Sequence, residues 1–332
     1  MKLWGMSLAL LLMCAAIWIS NPHFASESNL FNTSRQIALL GIYSIGVSFV
    51  IISGGIDLSI GSVVSLAAVV VVKMSAGPEQ RGLGLPLALG IAVALLISLS
   101  IGLVQGLLIS RGGLQPFIVT LAGMLIYRGI SQTILGGGDI SFGDSRSQAV
   151  RLFIDRIGEG HLLGVPTPAV LFLFLMGAAA FLLHSTVFGR HLYAIGGNRE
   201  AARYSGIRVE AVETSTYLIS AGLAGLAGVV HAAYLPQVNH HIGFGYELTA
   251  IAAVVLGGCS LRGGEGSIPG VLIGAAIMQV MDNGINMFQV RLGDGRVFRL
   301  DENWKFIIIG GVILGAVVLD GLMFRVRMRR PK

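Results

Sequence analysis

The sequence predicts an all-α polytopic membrane protein of about ten transmembrane helices, some short or broken, in two weakly related halves. Three observations predict it. The chain of 332 residues is 54% hydrophobic and only 12% charged, whereas soluble domains carry roughly 25% charged residues. Apolar runs of membrane length recur from end to end, bounded by Gly, Pro and polar residues. A glycine pattern also repeats: Gly54-Gly55 then Gly61-Ser62, and later Gly257-Gly258 then Gly266-Ser267. Glycine-interrupted apolar segments at corresponding places in two halves point to a transport pathway. In a chain with 47 glycines, coincidence is the rival reading.

The elements follow in order. Lys2 precedes the apolar run Leu3–Ser20. That run is longer than a signal-peptide core and no small-x-small cleavage site follows it, so it reads as an uncleaved first helix. Residues 21–35 are polar, and a second span runs from Gln36 to Ser53. The break SGGIDLSIGS leads into a third span over Ser59–Met74. The turn GPEQRGLGLP leads to the span Leu85–Ile109, and the turn SRGGLQP separates that span from Phe117–Leu135. Residues 136–164 are the longest polar interruption, with an amphipathic helix expected around Gln148–Ile157. Val165–His184 and Val212–Ala232 are the sixth and seventh spans. A short apolar segment, Tyr246–Leu256, precedes the break GGCSLRGGEGSIPG and the span Val271–Phe288. The polar stretch 289–303 then leads to a last span, Phe306–Phe324. One membrane domain accounts for residues 1–332.

Ten crossings put both termini on one side. The tail residues Arg325, Arg327, Arg329, Arg330 and Lys332 fit a cytoplasmic anchor on anionic lipid, not a nucleic-acid site. Loop 186–210 is then cytoplasmic, and loops 136–164 and 289–303 are extracytoplasmic. Lys2, Arg111, Arg190, Arg199, Arg203, Arg208 and Arg262 fall inside with the tail. Arg146, Arg151, Arg156, Arg291, Arg296 and Arg299 fall outside, so the orientation rests on the tail and on loop 186–210.

That loop, TVFGRHLYAIGGNREAARYSGIRVE, is an Arg-rich island between apolar spans. A short helix is expected within it. Asn198 is placed as N-cap, Glu200 lies in the first turn where the dipole favours an anion, and Ala201 and Ala202 are strong helix formers. Gly206 is placed to end the helix in a left-handed conformation. An ordinary positively charged cytoplasmic loop is the rival reading.

Several polar residues fall at membrane depth. Asp57 sits in the first break, where it either lines a pathway or caps the third helix; the flanking glycines favour the cap. Gln279, Asn283 and Asn286 share one face of the ninth span. Their amides both donate and accept, which suits sugar hydroxyls, and interhelical hydrogen bonding explains them equally well. Gln105 and Arg128 are further candidates for a pathway lining. His231, His240, His241 and Glu247 lack the spacing of a metal site, because adjacent side chains diverge on a regular element.

No GxxxxGK[ST] motif is present and no lysine follows a glycine, so the chain itself cannot cradle a nucleotide in a P-loop. Nor is there a GxSxG, HExxH or CxxC motif to support hydrolase or metal chemistry.

Three stretches carry a family resemblance: SGGIDLSIGSVVSL at Ser53–Leu66, GRHLYAIGGNREAARYSGI at Gly189–Ile207, and ELTAIAAVVLGGCSLRGGEGSIPGVLIGA at Glu247–Ala275. In this order they resemble the permease subunits of bacterial ribose-type (simple sugar) ABC importers. The resemblance implies a non-enzymatic subunit in the inner membrane. Its partners would be a cytoplasmic P-loop ATPase that binds ATP and Mg, an extracytoplasmic sugar-binding protein, and a second permease copy, identical or similar. It also implies that Gly189, Arg190, Gly197, Asn198, Glu200, Ala201, Ala202 and Gly206 couple the permease to the ATPase. No cofactor is expected in this chain. The polar 291–303 insert departs from the family pattern.

Overall fold

A computed structural model describes residues 2–143, 147–291 and 297–299, with scattered positions between 304 and 318. The expected tenth span and the basic tail lie otherwise outside the described residues, as does most of the 291–303 insert. Within them, twelve α-helices follow in order: α1 (Lys2–Ser20), α2 (Glu27–Ile52), α3 (Ile60–Ser75), α4 (Leu87–Ser110), α5 (Pro116–Leu135), α6 (Gln148–Phe153), α7 (Thr167–Ser185), α8 (Val187–Gly197), α9 (Arg199–Tyr204), α10 (Val209–Tyr234), α11 (Tyr246–Leu256) and α12 (Ile268–Met287). Seven of these are long and apolar enough to cross a membrane, and α3 and α11 are shorter apolar helices. The chain is therefore a multi-pass membrane protein.

Lipid supplies no hydrogen-bond partners, so even the β-branched run Val69–Val72 is helical, its backbone groups satisfied within α3. Helix α3 is buried on every side from Ile60 to Val72. It packs against α10, α4 and α5, and α2 packs on α10 beside it, while α1 exposes Trp4, Leu8, Leu11, Leu12, Trp18 and Ile19. Small residues let the central backbones approach. A side chain at Gly46 would press on the Ser220 Cα at 2.7 Å, so α2 and α10 are in backbone contact there.

Helix α2 starts earlier than the hydropathy predicts, at Glu27 rather than Gln36. Its polar first turns stay helical because α12 bonds them. Gln279 Nε2 donates to Gln36 Oε1 at 2.8 Å, and Asn283 Nδ2 to Asn29 Oδ1 at 2.8 Å and Thr33 Oγ1 at 3.1 Å. The long polar stretch carries α6 and a π-turn, Ile154–Gly158, close to the helix expected around Gln148–Ile157. Its strand Ile140–Ser141 pairs antiparallel with Gln237–Val238, and Gln289–Arg291 pairs with Val297–Arg299.

Candidate functional site

Two breaks in the helical backbone and the α8–α9 unit meet at one end of the bundle. At the first break α2 ends in a Schellman motif. Gly54 takes φ +87°, Gly54 N–H donates to Ile51 O at 2.9 Å, and Gly55 N–H to Val50 O at 2.9 Å. The second break repeats it: Gly258 takes φ +88°, Gly258 N–H donates to Val255 O at 2.9 Å, and Cys259 N–H to Val254 O at 3.1 Å. The glycine pairs singled out in the sequence thus end two helices in the same way.

Non-helical backbone at this depth has to be buried in protein. Asp57 is 1% exposed. Its Oδ1 accepts from Ser59 N–H at 2.9 Å and lies 2.7 Å from Ser59 Oγ, while Oδ2 accepts from Ser220 Oγ on α10 at 3.0 Å. Ser59, not Asp57, holds the N-cap position of α3 and makes no side-chain cap bond. Asp57 therefore satisfies only one backbone N–H of that region and ties the break to α10. Gln105 joins the cluster through its Oε1, 3.2 Å from Ser59 Oγ.

The second break rests on backbone. Gly264 N–H donates to Ile52 O at 2.9 Å, the last carbonyl of α2. Tyr193 Oη of α8 donates to Gly266 O at 2.7 Å. Gly196 completes the junction: a Cβ there would collide with both Ile52 O and Gly264 N. No local pattern marks Gly196, whereas its neighbour Gly197, among the expected coupling residues, has open space.

The island 186–210 is two helices where one short helix was expected. Thr186 caps α8, its Oγ1 accepting from Gly189 N–H at 3.4 Å. Gly189 is pinned, since a Cβ would collide with Leu183 O, and Arg190 is exposed. Asn198 breaks the helix with φ −161° and caps α9, its Oδ1 accepting from Ala201 N–H at 3.0 Å. Gly206, at φ +83°, ends α9 with its N–H on Arg203 O at 3.0 Å. The expected cap and stop are therefore the observed ones. Ala202 is 4% exposed and packs inward. Ala201, Glu200, Arg203 and Tyr204 form the outward face, with Glu200 lying 3.9 Å from Arg199 and 3.8 Å from Arg203.

Two ion pairs fasten α9 to the start of α10. Arg199 donates to both carboxylate oxygens of Glu213, from Nε at 2.6 Å and Nη2 at 2.9 Å, and Arg203 pairs with Glu210. Its hydrogen bond to Glu213 holds the Arg199 guanidinium above its ordinary pKa.

The other polar candidates lie elsewhere. Arg128 donates to Ile242 O at 3.1 Å and Gly243 O at 2.7 Å, fastening α5 to the turn before α11. Gln279 and Asn283 are taken up by α2, and Asn286 is exposed. The structure thus brings Asp57 and Gln105 together and leaves Arg128, Gln279, Asn283 and Asn286 apart from them. His231 is buried within α10, whereas the rings of His240 and His241 lie 4.0 Å apart between centroids, tilted by 40°.

Comparison with known proteins is consistent with this geometry. Residues 29–317 match the family described as branched-chain amino acid transport system / permease component. The chain is 37% identical to the ribose import permease protein of Escherichia coli, over 94% of this chain and 92% of that one. It is 38% identical to the ribose import permease protein of Bacillus subtilis, over 95% and 92%. It is 34% identical to the xylose transport system permease protein of Escherichia coli, over 95% and 92%. No solved structure matches it. The chain belongs to this transport-system permease family, among its ribose-type sugar permeases.

Proposed function

We propose that the chain is the membrane-spanning subunit of an ATP-binding-cassette importer that moves a monosaccharide of the pentose class across a bacterial inner membrane. A separate ATPase chain, binding ATP and Mg, drives it. An extracytoplasmic binding protein delivers the sugar, and two permease copies form the path. Ten crossings, with two halves built around the two breaks, put both termini and loop 186–210 in the cytoplasm. Loops 136–164 and 289–303 then lie outside. The ribose and xylose relatives favour a sugar over an amino acid.

The observation that carries the reading is the α8–α9 unit. It presents a short capped helix whose outer face is exposed while its base is packed on α2 and bonded to α10 and the second break. Such a helix suits docking in a groove of a partner that itself moves. Glu200, Arg203 and Tyr204 meet the ATPase; Gly189, Asn198, Ala202 and Gly206 shape the unit beneath them, and Arg190 and Gly197 flank it.

The test is co-purification of the tagged chain from native membranes. A P-loop ATPase should be recovered with it, and Tyr204→Ala combined with Ala201→Arg should release that ATPase while leaving the permease folded. Active chain recovered alone, with uptake that collapses with an ion gradient rather than with ATP, would make it a secondary carrier. Ala202→Glu is a poorer probe, because it buries a carboxylate and disturbs packing as well as docking.

A further inference from the structure

Helix α10 carries three contacts on one face, each nearly one turn from the next. Glu213 holds Arg199 of α9. The Tyr217 ring, 2% exposed, reaches the first break, and a Cβ at Gly55 would collide with its hydroxyl. Ser220 holds Asp57. One rigid element therefore touches the outer helix at its start and the buried break two turns later. The hydrogen bond at the far end is a single hydroxyl on a single carboxylate oxygen, beside the backbone packing of Ser220 on Gly46 of α2. It sits in a break whose glycines, Gly54 and Gly55, leave the backbone free to change course. Tyr217 Oη, beside it, is buried without a protein partner among the described residues. An unused donor against Gly55 gives the break a further partner to adopt, as a two-state element needs.

We propose that Ser220 and Asp57 are positioning residues through which α10 sets the conformation of the first break according to the position of α9. When α9 moves, Glu213 carries α10 with it, and the Ser220–Asp57 bond moves the segment 53–59. Neither residue touches the ATPase. The inference rests on the transport reading above, because it needs a partner that moves α9. Direct pressure of Gly196 on Ile52 O is a second route to the same break, by steric contact rather than by a hydrogen bond.

The experiment uses the co-purified permease–ATPase complex in proteoliposomes with its binding protein. ATP hydrolysis and uptake of labelled ribose are measured in the same vesicles. Ser220→Ala should keep hydrolysis near the wild-type rate and lower uptake about ten-fold. Uptake and hydrolysis both unchanged would overturn the linkage, as would a parallel fall in the two. A second measurement does not depend on transport. Ser53→Cys, in a Cys14→Ser background, is labelled with a maleimide. ATP with vanadate should change the labelling rate severalfold, and adding Ser220→Ala should remove that change. A change that persists in Ser220→Ala would overturn the linkage even if uptake had fallen. No ATP-driven ribose uptake by wild type, with the nucleotide-dependent labelling intact, would fault the substrate assignment and leave the linkage standing.

Discussion

The two breaks end their helices alike and are secured differently. At the first, the chain turns at Gly54 and is held by side chains: a buried carboxylate between Ser59 and Ser220. At the second, it turns at Gly258 and is held by backbone: Gly264 on Ile52 O, and a tyrosine on Gly266 O, with glycines allowing the approach. A side-chain bond can be exchanged with small movement, whereas a glycine packed against backbone has no give. The first break is thus built to change partners. The second is built as a fixed seat for α8.

The comparison breaks most easily at Gly196. Gly196→Ala places a methyl against two backbone atoms that cannot retreat, and should cost about 3 kcal/mol or more. Thermal unfolding in detergent reads it, and a near-neutral result would mean that the junction is not close-packed. Asp57→Ala comes next, at about 2 kcal/mol, because Ser59 N–H and Ser220 Oγ lose their buried acceptor. The same unfolding assay checks it; a cost below that of an exposed substitution would remove the side-chain anchor from the first break. Gly54→Ala and Gly258→Ala sharpen the likeness between the breaks. Both sites have positive φ and open space around a new Cβ, so each should lose about 1 kcal/mol, and the two losses should match. Unequal losses would mean that the shared geometry is coincidental. Asn283→Leu lies outside both breaks and should cost only about 0.6 kcal/mol, the worth of an interhelical bond in a membrane. Wild-type sugar uptake in that variant would assign Asn283 to α2–α12 packing; a large drop would return it to the pathway.

The order of the spans within the described residues, the break at Asp57 and the cap and stop of α9 are legible because each rests on local chemistry. Length and hydropathy set a span, and Asn198 and Gly206 carry their signals in their own side chain or lack of one. Hydropathy alone leaves Glu27–Arg35 outside the second span, whereas the helix includes it. Hydropathy counts Asn29, Thr33 and Gln36 as polar, and only the packing of α12 supplies the amides that keep them within a helix. Gly196 carries no local signal because its reason lies in Ile52 and Gly264, each more than 50 residues away in the chain.

The sequence alone determined that this chain crosses a membrane repeatedly, where it breaks, and which island lies between its spans. Backbone groups in lipid must bond locally, so hydropathy and glycine placement leave few choices. The tertiary structure alone decided which polar residues share a site. It gave Gln279 and Asn283 to α2, Arg128 to the turn before α11, and Asp57 to α10. Buried polar groups take whatever partner the packing of distant helices brings within reach, and no local pattern records that partner.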